Sequence, residues 1–511
     1  MSDQSNKSID NKRITKNAFL LYLRMIITMG ISIYTSRVIL DVLGVEDYGI
    51  YNVVAGVTTM VIFFSGSLSN AAQRYFSLGL GKCDLITTNK YFSQFMLIFG
   101  VLAIAVLLLG ESLSIWVIES LLVIPADRIE AAYWVYHCSL ISMALTFIQI
   151  PYQSAIIAHE RMDTFAYLSL FESFGRLGIL YLIVVIGGDS LTVYALLFLA
   201  ISFCLLLLHY FYCRIKFEDC KYRYYFSKRL AYEMTSFVGY NMFGCFAFAA
   251  ANQGVNVLLN IFFGPTVNAA RAIAMQVNAA IVKFTDNIVV AVRPGIIKLY
   301  AQNQIDEMLA LSINSVRYCL YVNFLVAIPI VLNLDFILNL WLKQVPEYTE
   351  VFIILILIEG IFNIVNQPIT ILVNATGKLK RNQFYGRMYT LAVLPISYLL
   401  LLVYKTPTIP MSVCVLGTIC YMLNNIFDVK NQLGLNIVEF IRITFCKTAC
   451  VFVPLVILCW LSTKFLSNGW LCMIVTTAID ILIGLTLVYH FLLGDTEKKY
   501  VNRIILKYIK R

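Results

Sequence analysis

The amino-acid sequence predicts an all-α polytopic membrane protein with about 14 transmembrane helices. Of its 511 residues, 60% are hydrophobic and only 13% are charged, whereas a soluble domain carries about 25% charged residues. Apolar runs of about 20 residues follow one another along almost the whole chain, and a helix of this length crosses the hydrocarbon core of a bilayer. The predicted spans begin near Asn17, Gly49, Tyr91, Ile129, Thr164, Ser190, Ala231, Val267, Ser312, Val351, Phe384, Ile409, Phe440 and Gly469.

The basic residues orient these spans. Of the 39 Lys and Arg residues, 29 fall in the loops and tails on one side of the predicted spans, and four fall on the other side. Arg387, near the predicted start of the eleventh span, is counted among the 29. Such an excess marks the cytoplasmic side, so both termini are predicted to be cytoplasmic. The net charge of +10 is spread over short loops between spans, which argues against a nucleic-acid partner. The first apolar run is too long for a cleaved signal peptide and predicts an uncleaved helix.

Cysteine and histidine usage predicts neither a disulfide nor a metal site. The 13 cysteines form no CxxC pair, and most lie within apolar spans, where a thiol behaves as a small hydrophobic group. The four histidines are dispersed along the chain and show no ligand spacing. We therefore predict no catalytic residue, no metal and no bound cofactor.

Two stretches of sequence recur with nearly the same offset. The segment LGVEDYGIYNVV, with Gly44, follows the first span, and FGPTVNAARAIA, with Gly264, follows the seventh. The segment PYQSAIIAHER begins at Pro151 after the fourth span, and PITILVNATGK begins at Pro368 after the tenth. Because six spans separate the copies, the halves are predicted to share one topology and to be related by an axis along the membrane normal. A substrate site would then lie between the halves near the midplane.

This repeat divides the chain into four predicted parts. Residues 1–213 form a first six-helix bundle, and residues 214–230 form a basic cytoplasmic linker. Residues 231–435 form the second bundle, and residues 436–511 contain two further spans and a basic tail. The segment FSKRLAYEM after the linker is amphipathic and is predicted to lie on the cytoplasmic surface, where it would meet anionic membrane lipids.

The arrangement of six, six and two spans, together with local patterns, resembles a known superfamily. The patterns are SRVILDVLGVEDYGIYNVV, NAAQRYFSLGLGKCD, LNLWLKQVPEY and NATGKLK. They resemble the polysaccharide-export or O-antigen flippases of the multidrug/oligosaccharidyl-lipid/polysaccharide (MOP) exporter superfamily. The resemblance implies a V-shaped, MATE-like pair of bundles in the bacterial inner membrane, working by alternating access. The implied substrate is an undecaprenyl-pyrophosphate-linked oligosaccharide, such as a repeat unit of O-antigen, capsule or exopolysaccharide. A polysaccharide polymerase and a chain-length regulator are the implied protein partners.

Four basic residues lie well inside predicted spans: Arg24, Arg176, Arg271 and Lys283. A charge near the bilayer centre costs at least about 2.5–3.5 kcal/mol, so such a residue is paired, reaches the interface or faces a polar cavity. Arg176 has Glu172 four residues before it, and Lys283 has Asp286 three residues after it, so both are candidates for local ion pairs. Arg24 and Arg271 have no acid so close in sequence. They correspond in span to the cavity arginines of related lipid II flippases.

These residues are the candidate substrate site. Arg24, Arg271 and Lys283 are the predicted ligands of the pyrophosphate, because the arginine fork binds phosphate oxygens with two charge-assisted hydrogen bonds. Sugars need amide partners, and two spans carry polar stripes that lipid cannot satisfy. The candidate glycan contacts are Asn252, Asn256, Asn363 and Gln367. Asp286 and Glu359 are candidate sites for a coupling proton or sodium ion. Hydrogen bonding between helices is the alternative role of both stripes.

Two other function classes stay open at this level. A cation-coupled multidrug exporter of the same superfamily usually places an acid in the first helix, and the first span here contains two arginines and no acid before Asp41. A membrane polysaccharide polymerase or glycosyltransferase typically needs a large loop or a catalytic domain, and the longest loops here are too short for either. The sequence does not specify the glycan, the coupling ion, the oligomeric state or whether the buried basic residues face one cavity.

Overall fold

The computed structural model describes residues 19–32, 34–35, 38–39, 41–44, 47, 50–51, 54, 65–121, 124–342, 345–466, 469–492 and 498. All regular structure in these residues is helical. The α-helices are α1 (Phe19–Ser32), α2 (Ser65–Gly81), α3 (Leu85–Ile115), α4 (Ile129–Ala158), α5 (Met162–Ile186), α6 (Ser190–Lys216), α7 (Lys228–Phe263), α8 (Pro265–Ala301), α9 (Ile305–Leu332), α10 (Leu334–Trp341), α11 (Thr349–Thr376), α12 (Arg387–Tyr404), α13 (Thr408–Leu433), α14 (Ile437–Ile441), α15 (Lys447–Phe465) and α16 (Trp470–Leu487). Turns of π-helix extend α3, α12, α15 and α16.

Eleven helices of the described chain are long and apolar enough to cross a membrane. The described parts of α1 and α2 are shorter, and α8 is long enough, with 37 residues, but more polar. These three bring the number to the predicted fourteen, so the predicted all-α, multi-pass fold class is confirmed. The polar amino tail and most of the basic carboxyl tail lie outside the described residues, and their cytoplasmic placement stays a prediction.

The main differences from the predicted spans are at helix starts. α9 begins at Ile305 rather than near Ser312, because Asp306 and Glu307 lie in its first turn, where acidic side chains stabilise the helix dipole. The amphipathic segment after the linker forms the first two turns of α7 and is continuous with the rest of that helix. Two other starts are fixed by aspartate caps: Asp84 accepts from the Thr87 amide at 2.9 Å, and Asp189 accepts from the Thr192 amide at 2.9 Å.

The chain divides into two compact units. The first comprises the described parts of residues 1–245 and 293–304, and the second comprises residues 246–292 and the described part of 305–511. The division falls within α7 and within α8, whereas the sequence places the boundary of the bundles at the linker 214–230. The two-bundle organisation therefore stays a prediction.

In the first unit, α4 is the central helix and packs against α2, α3 and α6. Eighteen of its residues are buried. The linker after α6 lies on α3, because Asn89 donates to the carbonyl oxygens of Asp219 and Lys221, and Gln94 accepts from the Ser227 amide. The linker is thus held by hydrogen bonds along one side of this unit.

In the second unit, α11 packs against α9 and α13, and α12 packs against α13. The two helices beyond the repeat, α15 and α16, pack on α9, with the rings of Phe324 and Phe452 stacked at 5.0 Å. Their buried cluster is separate from the one around α8 and α11.

The repeated segments have matching backbone conformations. Gly44 and Gly264 both have a positive φ, at 76° and 79°, a region that glycine enters at little cost. Pro151 and Pro368 both lie inside long helices, α4 and α11. Nine residues after each proline the chain again turns to positive φ, at Glu160 (60°) and Gly377 (76°). The sequence repeat is therefore also a repeat of local structure.

Arg128, at the start of α4, joins three segments of the first unit. It donates to Asp189 at 2.7 Å and to buried Asp47 at 3.1 Å. Replacing Arg128 with alanine is expected to lower the free energy of unfolding by about 1–3 kcal/mol, since buried Asp47 loses this partner. Because Arg128 is about a third exposed, solvent screening favours the lower part of this range.

Thermal unfolding in detergent measures the effect of the Arg128 change. The matched control is Arg161→Ala, since Arg161 pairs with Asp163 and both side chains are exposed. Such an exposed pair contributes about 0–1 kcal/mol. Equal losses in the two variants would contradict the structural role of Arg128.

Candidate functional site

A polar cavity lies within the second unit, among α7, α11, α12 and α13. Its volume is about 30 Å³, which is room for about two water molecules. The lining residues are Phe248, Ala251, Asn252, Glu359, Asn363, Arg387, Thr390, Val393, Cys414, Gly417, Thr418 and Tyr421. Three of the predicted site residues, Asn252, Glu359 and Asn363, therefore meet in one place.

Arg271 lies beside this cavity and is held by α7. Its guanidinium donates to the side-chain oxygen of Asn256, and to both the side-chain oxygen (3.0 Å) and the carbonyl oxygen (3.2 Å) of Asn252. The side chain is only 4% exposed, and its Nε has no hydrogen-bond partner among the described residues. All three acceptors are neutral. The asparagine stripe of α7 thus fixes an arginine, which the sequence did not predict.

Glu359 is the acidic group of the cavity. It accepts from the Thr418 hydroxyl at 3.0 Å and from the side chain of Asn363, and it interacts electrostatically with Arg271. The sequence shows no acid within four residues of Arg271, but the fold places Glu359 of α11 near it.

Arg387 is a cavity residue that the sequence analysis assigned to a cytoplasmic loop. It lies at the start of α12 inside an apolar stretch that runs from Lys380 to Tyr404. Its guanidinium carbon lies 4.2 Å from the centre of the Tyr421 ring, a cation–π contact. Its Nε is buried and has no hydrogen-bond partner in the part of the chain that the structure describes. One feature of the sequence could have placed Arg387 in the membrane: it lies three residues after the predicted start of the span at Phe384.

The rest of the α11 stripe contacts other helices instead of the cavity. Asn366 accepts from Asn425 at 2.6 Å, and Asn425 in turn accepts from Asn382. Gln367 donates to Asp286 of α8 at 3.1 Å. One stripe therefore combines both roles considered for it: a cavity wall at Glu359 and Asn363, and hydrogen bonding between helices further along.

The remaining basic candidates differ in burial. Lys283 is exposed. Arg176 is also exposed and pairs with Glu172 at 2.6 Å, as the spacing of four residues predicts. Arg24, in the first unit, is half-buried; its guanidinium lies 3.5 Å from the Ser169 hydroxyl and 4.8 Å from the centre of the Phe165 ring. The role of all of these in substrate binding stays a prediction.

Known proteins resemble this chain in structure but not in sequence. The chain matches no protein-family model, and no curated protein sequence is significantly similar to it. A MATE crystal structure in the bent conformation superposes with a TM-score of 0.72 at 9% identity, covering 83% of this chain and 96% of that one. The chain has the MATE transporter fold.

Two further structures with the MATE fold extend the comparison. An outward-facing MATE family multidrug resistance transporter of the MOP superfamily matches with a TM-score of 0.66 at 10% identity, over 82% of this chain and 94% of that one. A MOP superfamily transporter from Pyrococcus furiosus, whose binding pocket has reverse polarity that suggests a different function, matches with a TM-score of 0.66 at 10% identity over 82% and 96%. Fold similarity at this identity does not identify a substrate.

The side chains of Asn382, Asn425 and Asn366 form a buried chain of hydrogen bonds, and its contribution to stability can be tested. Asn425→Leu is expected to lower the free energy of unfolding by about 2–6 kcal/mol, because buried Asn366 and Asn382 each lose a partner at a cost of about 1–3 kcal/mol. Thermal unfolding in detergent measures this. Asn339→Leu is the matched control, since exposed Asn339 bonds only exposed Asp335 in the described structure. If the two variants unfold at the same temperature, the buried chain contributes no net stability.

Proposed function

We propose that this protein transports an anionic lipid-linked oligosaccharide across the bacterial cytoplasmic membrane. The substrate would be an undecaprenyl-pyrophosphate-linked repeat unit of a surface polysaccharide, moved from the inner to the outer leaflet. One observation carries the proposal: in a chain with a transporter fold, Arg387 and Glu359 line the cavity of the second unit, and Arg271 interacts electrostatically with Glu359 from beside it.

The charge balance of this cavity favours an anion. The cavity and its surroundings contain two guanidinium groups, Arg271 and Arg387, and one carboxyl group, Glu359. Their summed charge is +1 when Glu359 is ionised and +2 when it is protonated. A pyrophosphate is doubly charged or more and accepts paired hydrogen bonds from an arginine fork. The binding pocket of the P. furiosus transporter has reverse polarity. This is a precedent within the superfamily for a change in the charge of the pocket.

The neutral lining suits the sugars. Asn252, Asn363, Thr390 and Thr418 supply amide and hydroxyl groups to the same cavity. Tyr421 adds an aromatic ring and a hydroxyl group that has no hydrogen-bond partner in the described structure. These groups can form hydrogen bonds with a glycan without contributing charge.

The size of the cavity supports transport by conformational change. A volume of about 30 Å³ accommodates only about two water molecules, so a pyrophosphate with sugars enters only after the surrounding helices separate. Alternating access meets this requirement. Translocation of a lipid-linked sugar breaks no bond, so the proposed activity needs neither a nucleophile nor a metal, and the protein is proposed not to be an enzyme.

A second candidate is a cation-coupled multidrug exporter. Glu359 and the rings of Phe248 and Tyr421 line the same cavity, and an acid beside aromatic rings also suits an organic cation. The outward-facing relative is a multidrug resistance transporter. Arg387 stacks on Tyr421 itself, which places a positive charge on one of these rings and disfavours a cation there.

Reconstitution distinguishes the two candidates. Purified protein in liposomes is given either undecaprenyl pyrophosphate bearing a short labelled oligosaccharide or a panel of fluorescent cationic drugs. The accessibility of the label to a membrane-impermeant reagent reports translocation. We expect protein-dependent movement of the lipid-linked sugar and none of the drugs. Movement of the drugs alone would overturn the flippase proposal in favour of the exporter.

A further inference from the structure

A cluster of metal-ligand side chains lies in the first unit, whereas the cavity described above belongs to the second. His159 lies just after the end of α4, and Asp219 and Cys220 lie in a short 3₁₀ turn after α6. Their donor atoms all lie within 4.8 Å of one another. His159 and Asp219 lie 60 positions apart in the sequence, which explains why no ligand spacing was recognised there.

The cluster is built into the fold. Asp219 and Cys220 are each only 4% exposed. The His159 ring lies flat on the Phe217 ring, with centroids 3.9 Å apart and planes 4° from parallel. Asn89 donates to the carbonyl oxygens on both sides of Cys220, those of Asp219 and Lys221. The backbone of the turn and the plane of the imidazole are therefore fixed by contacts outside the cluster.

The spacing of the nitrogen and oxygen donors fits a metal ion. In a tetrahedral zinc site with bonds of about 2.0–2.1 Å, an imidazole nitrogen and a carboxylate oxygen are about 3.3 Å apart. His159 Nε2 lies 3.1 Å from one oxygen of Asp219 and 3.2 Å from the other. The Cys220 sulfur, within 4.8 Å of both, must approach to about 3.5 Å, as a Zn–S bond of about 2.3 Å requires.

We propose that His159, Asp219 and Cys220 bind a Zn²⁺ ion, with water in the fourth position. The mixed set of nitrogen, oxygen and sulfur donors suits a borderline-soft cation. Positive-inside orientation predicts that this turn is cytoplasmic, where thiols stay reduced and available to metal. The bound ion ties the linker between α6 and α7 to the end of α4.

Cobalt absorption tests this proposal on the full-length protein. The protein is purified in detergent without a histidine tag, stripped with a chelator and titrated with Co²⁺. We expect one equivalent to produce the near-ultraviolet thiolate-to-cobalt band and tetrahedral visible bands, which Zn²⁺ then removes. Cys220→Ser is expected to lose the thiolate band, and His159→Ala is expected to bind at least about 100-fold more weakly, given that even outer-shell changes cost 10–100-fold.

Two further variants separate metal binding from folding. Cys213→Ser removes the thiol that hydrogen-bonds Cys220 but no proposed ligand, so it is expected to keep the band. Asp219→Asn retains a hydrogen-bond acceptor for His159 but is a poorer ligand, so a folded protein with weakened binding is expected. Zn²⁺ should raise the unfolding temperature of the wild type and leave that of Cys220→Ser unchanged. Absence of a thiolate band, or a band that survives Cys220→Ser, would show that the cluster is only a hydrogen-bonded group.

Discussion

Replacing both Arg24 and Arg271 with alanine is expected to abolish translocation of the lipid-linked oligosaccharide while the protein remains in the membrane. In the proposed complex, an arginine fork gives the pyrophosphate two charge-assisted hydrogen bonds. Each hydrogen bond to a charged group contributes about 1.5–3 kcal/mol, so losing two of them corresponds to about a 100-fold loss of substrate binding or more. The measurement is label accessibility in liposomes, or glycan export in cells that depend on this protein.

Single variants separate charge from geometry. Arg271→Lys retains the positive charge but cannot reach Asn252 and Asn256 with a planar fork, since lysine is a point charge on a flexible stem. An intermediate transport activity for this variant would show that the planar hydrogen-bonding geometry of Arg271 contributes to transport in addition to its positive charge. Arg387→Ala tests the second guanidinium at the cavity, whose removal leaves the contacts of Arg271 intact.

The matched control is Arg176→Ala. Arg176 also lies within an apolar helix, but it is exposed and pairs with Glu172 on the same helix. Its loss is expected to change transport less than about two-fold, in line with the small contribution of an exposed ion pair. Normal export by the Arg24→Ala, Arg271→Ala double variant, together with normal amounts of protein, would disprove the anion-cavity proposal.

The fold could be predicted from the sequence because membrane insertion leaves few alternatives. Runs of about 20 apolar residues specify helices, and the aspartates before α3 and α6 cap their first turns. The repeat was visible because the backbone conformations at Gly44 and Gly264 depend on residue type. Each of these features depends on residues that are close together in the sequence, so the sequence pattern is enough to predict it.

The candidate site could be predicted only in part, because its contacts join residues far apart in sequence. Asn252, Glu359 and Asn363 were found as polar residues inside apolar spans, which is a local signal. The pairing of Arg271 with the α7 asparagines, the approach of Glu359 and the position of Arg387 depend on how helices pack. The count of loop charges assigned Arg387 to a cytoplasmic loop. It lies only three residues after the predicted start of the span at Phe384, and an error of that size in a helix boundary moves a side chain from a loop into a helix.

The choice between the two candidate coupling acids follows from their environments. Glu359 is half-buried in the cavity, accepts from the Thr418 hydroxyl at 3.0 Å and interacts with Arg271. Asp286 is exposed and accepts from Gln367 at 3.1 Å. In the proposed mechanism, a proton or sodium ion that binds Glu359 removes a negative charge that interacts with Arg271. We therefore expect occupancy of Glu359, rather than of Asp286, to be linked to anion binding.

Glu359→Gln is accordingly expected to uncouple transport from the ion gradient. Glutamine has the size of glutamic acid and can still accept from Thr418, so the fold is retained while the group can no longer gain or lose a proton. Transport driven by an imposed proton or sodium gradient is expected to fall to the rate seen without a gradient, whereas binding of the pyrophosphate is retained or tightened, because the neutral residue leaves both guanidinium charges uncompensated. Asp286→Asn is the matched control and should keep its response to the gradient. A Glu359→Gln protein that still responds to the gradient, beside an Asp286→Asn protein that does not, would transfer the coupling role to Asp286.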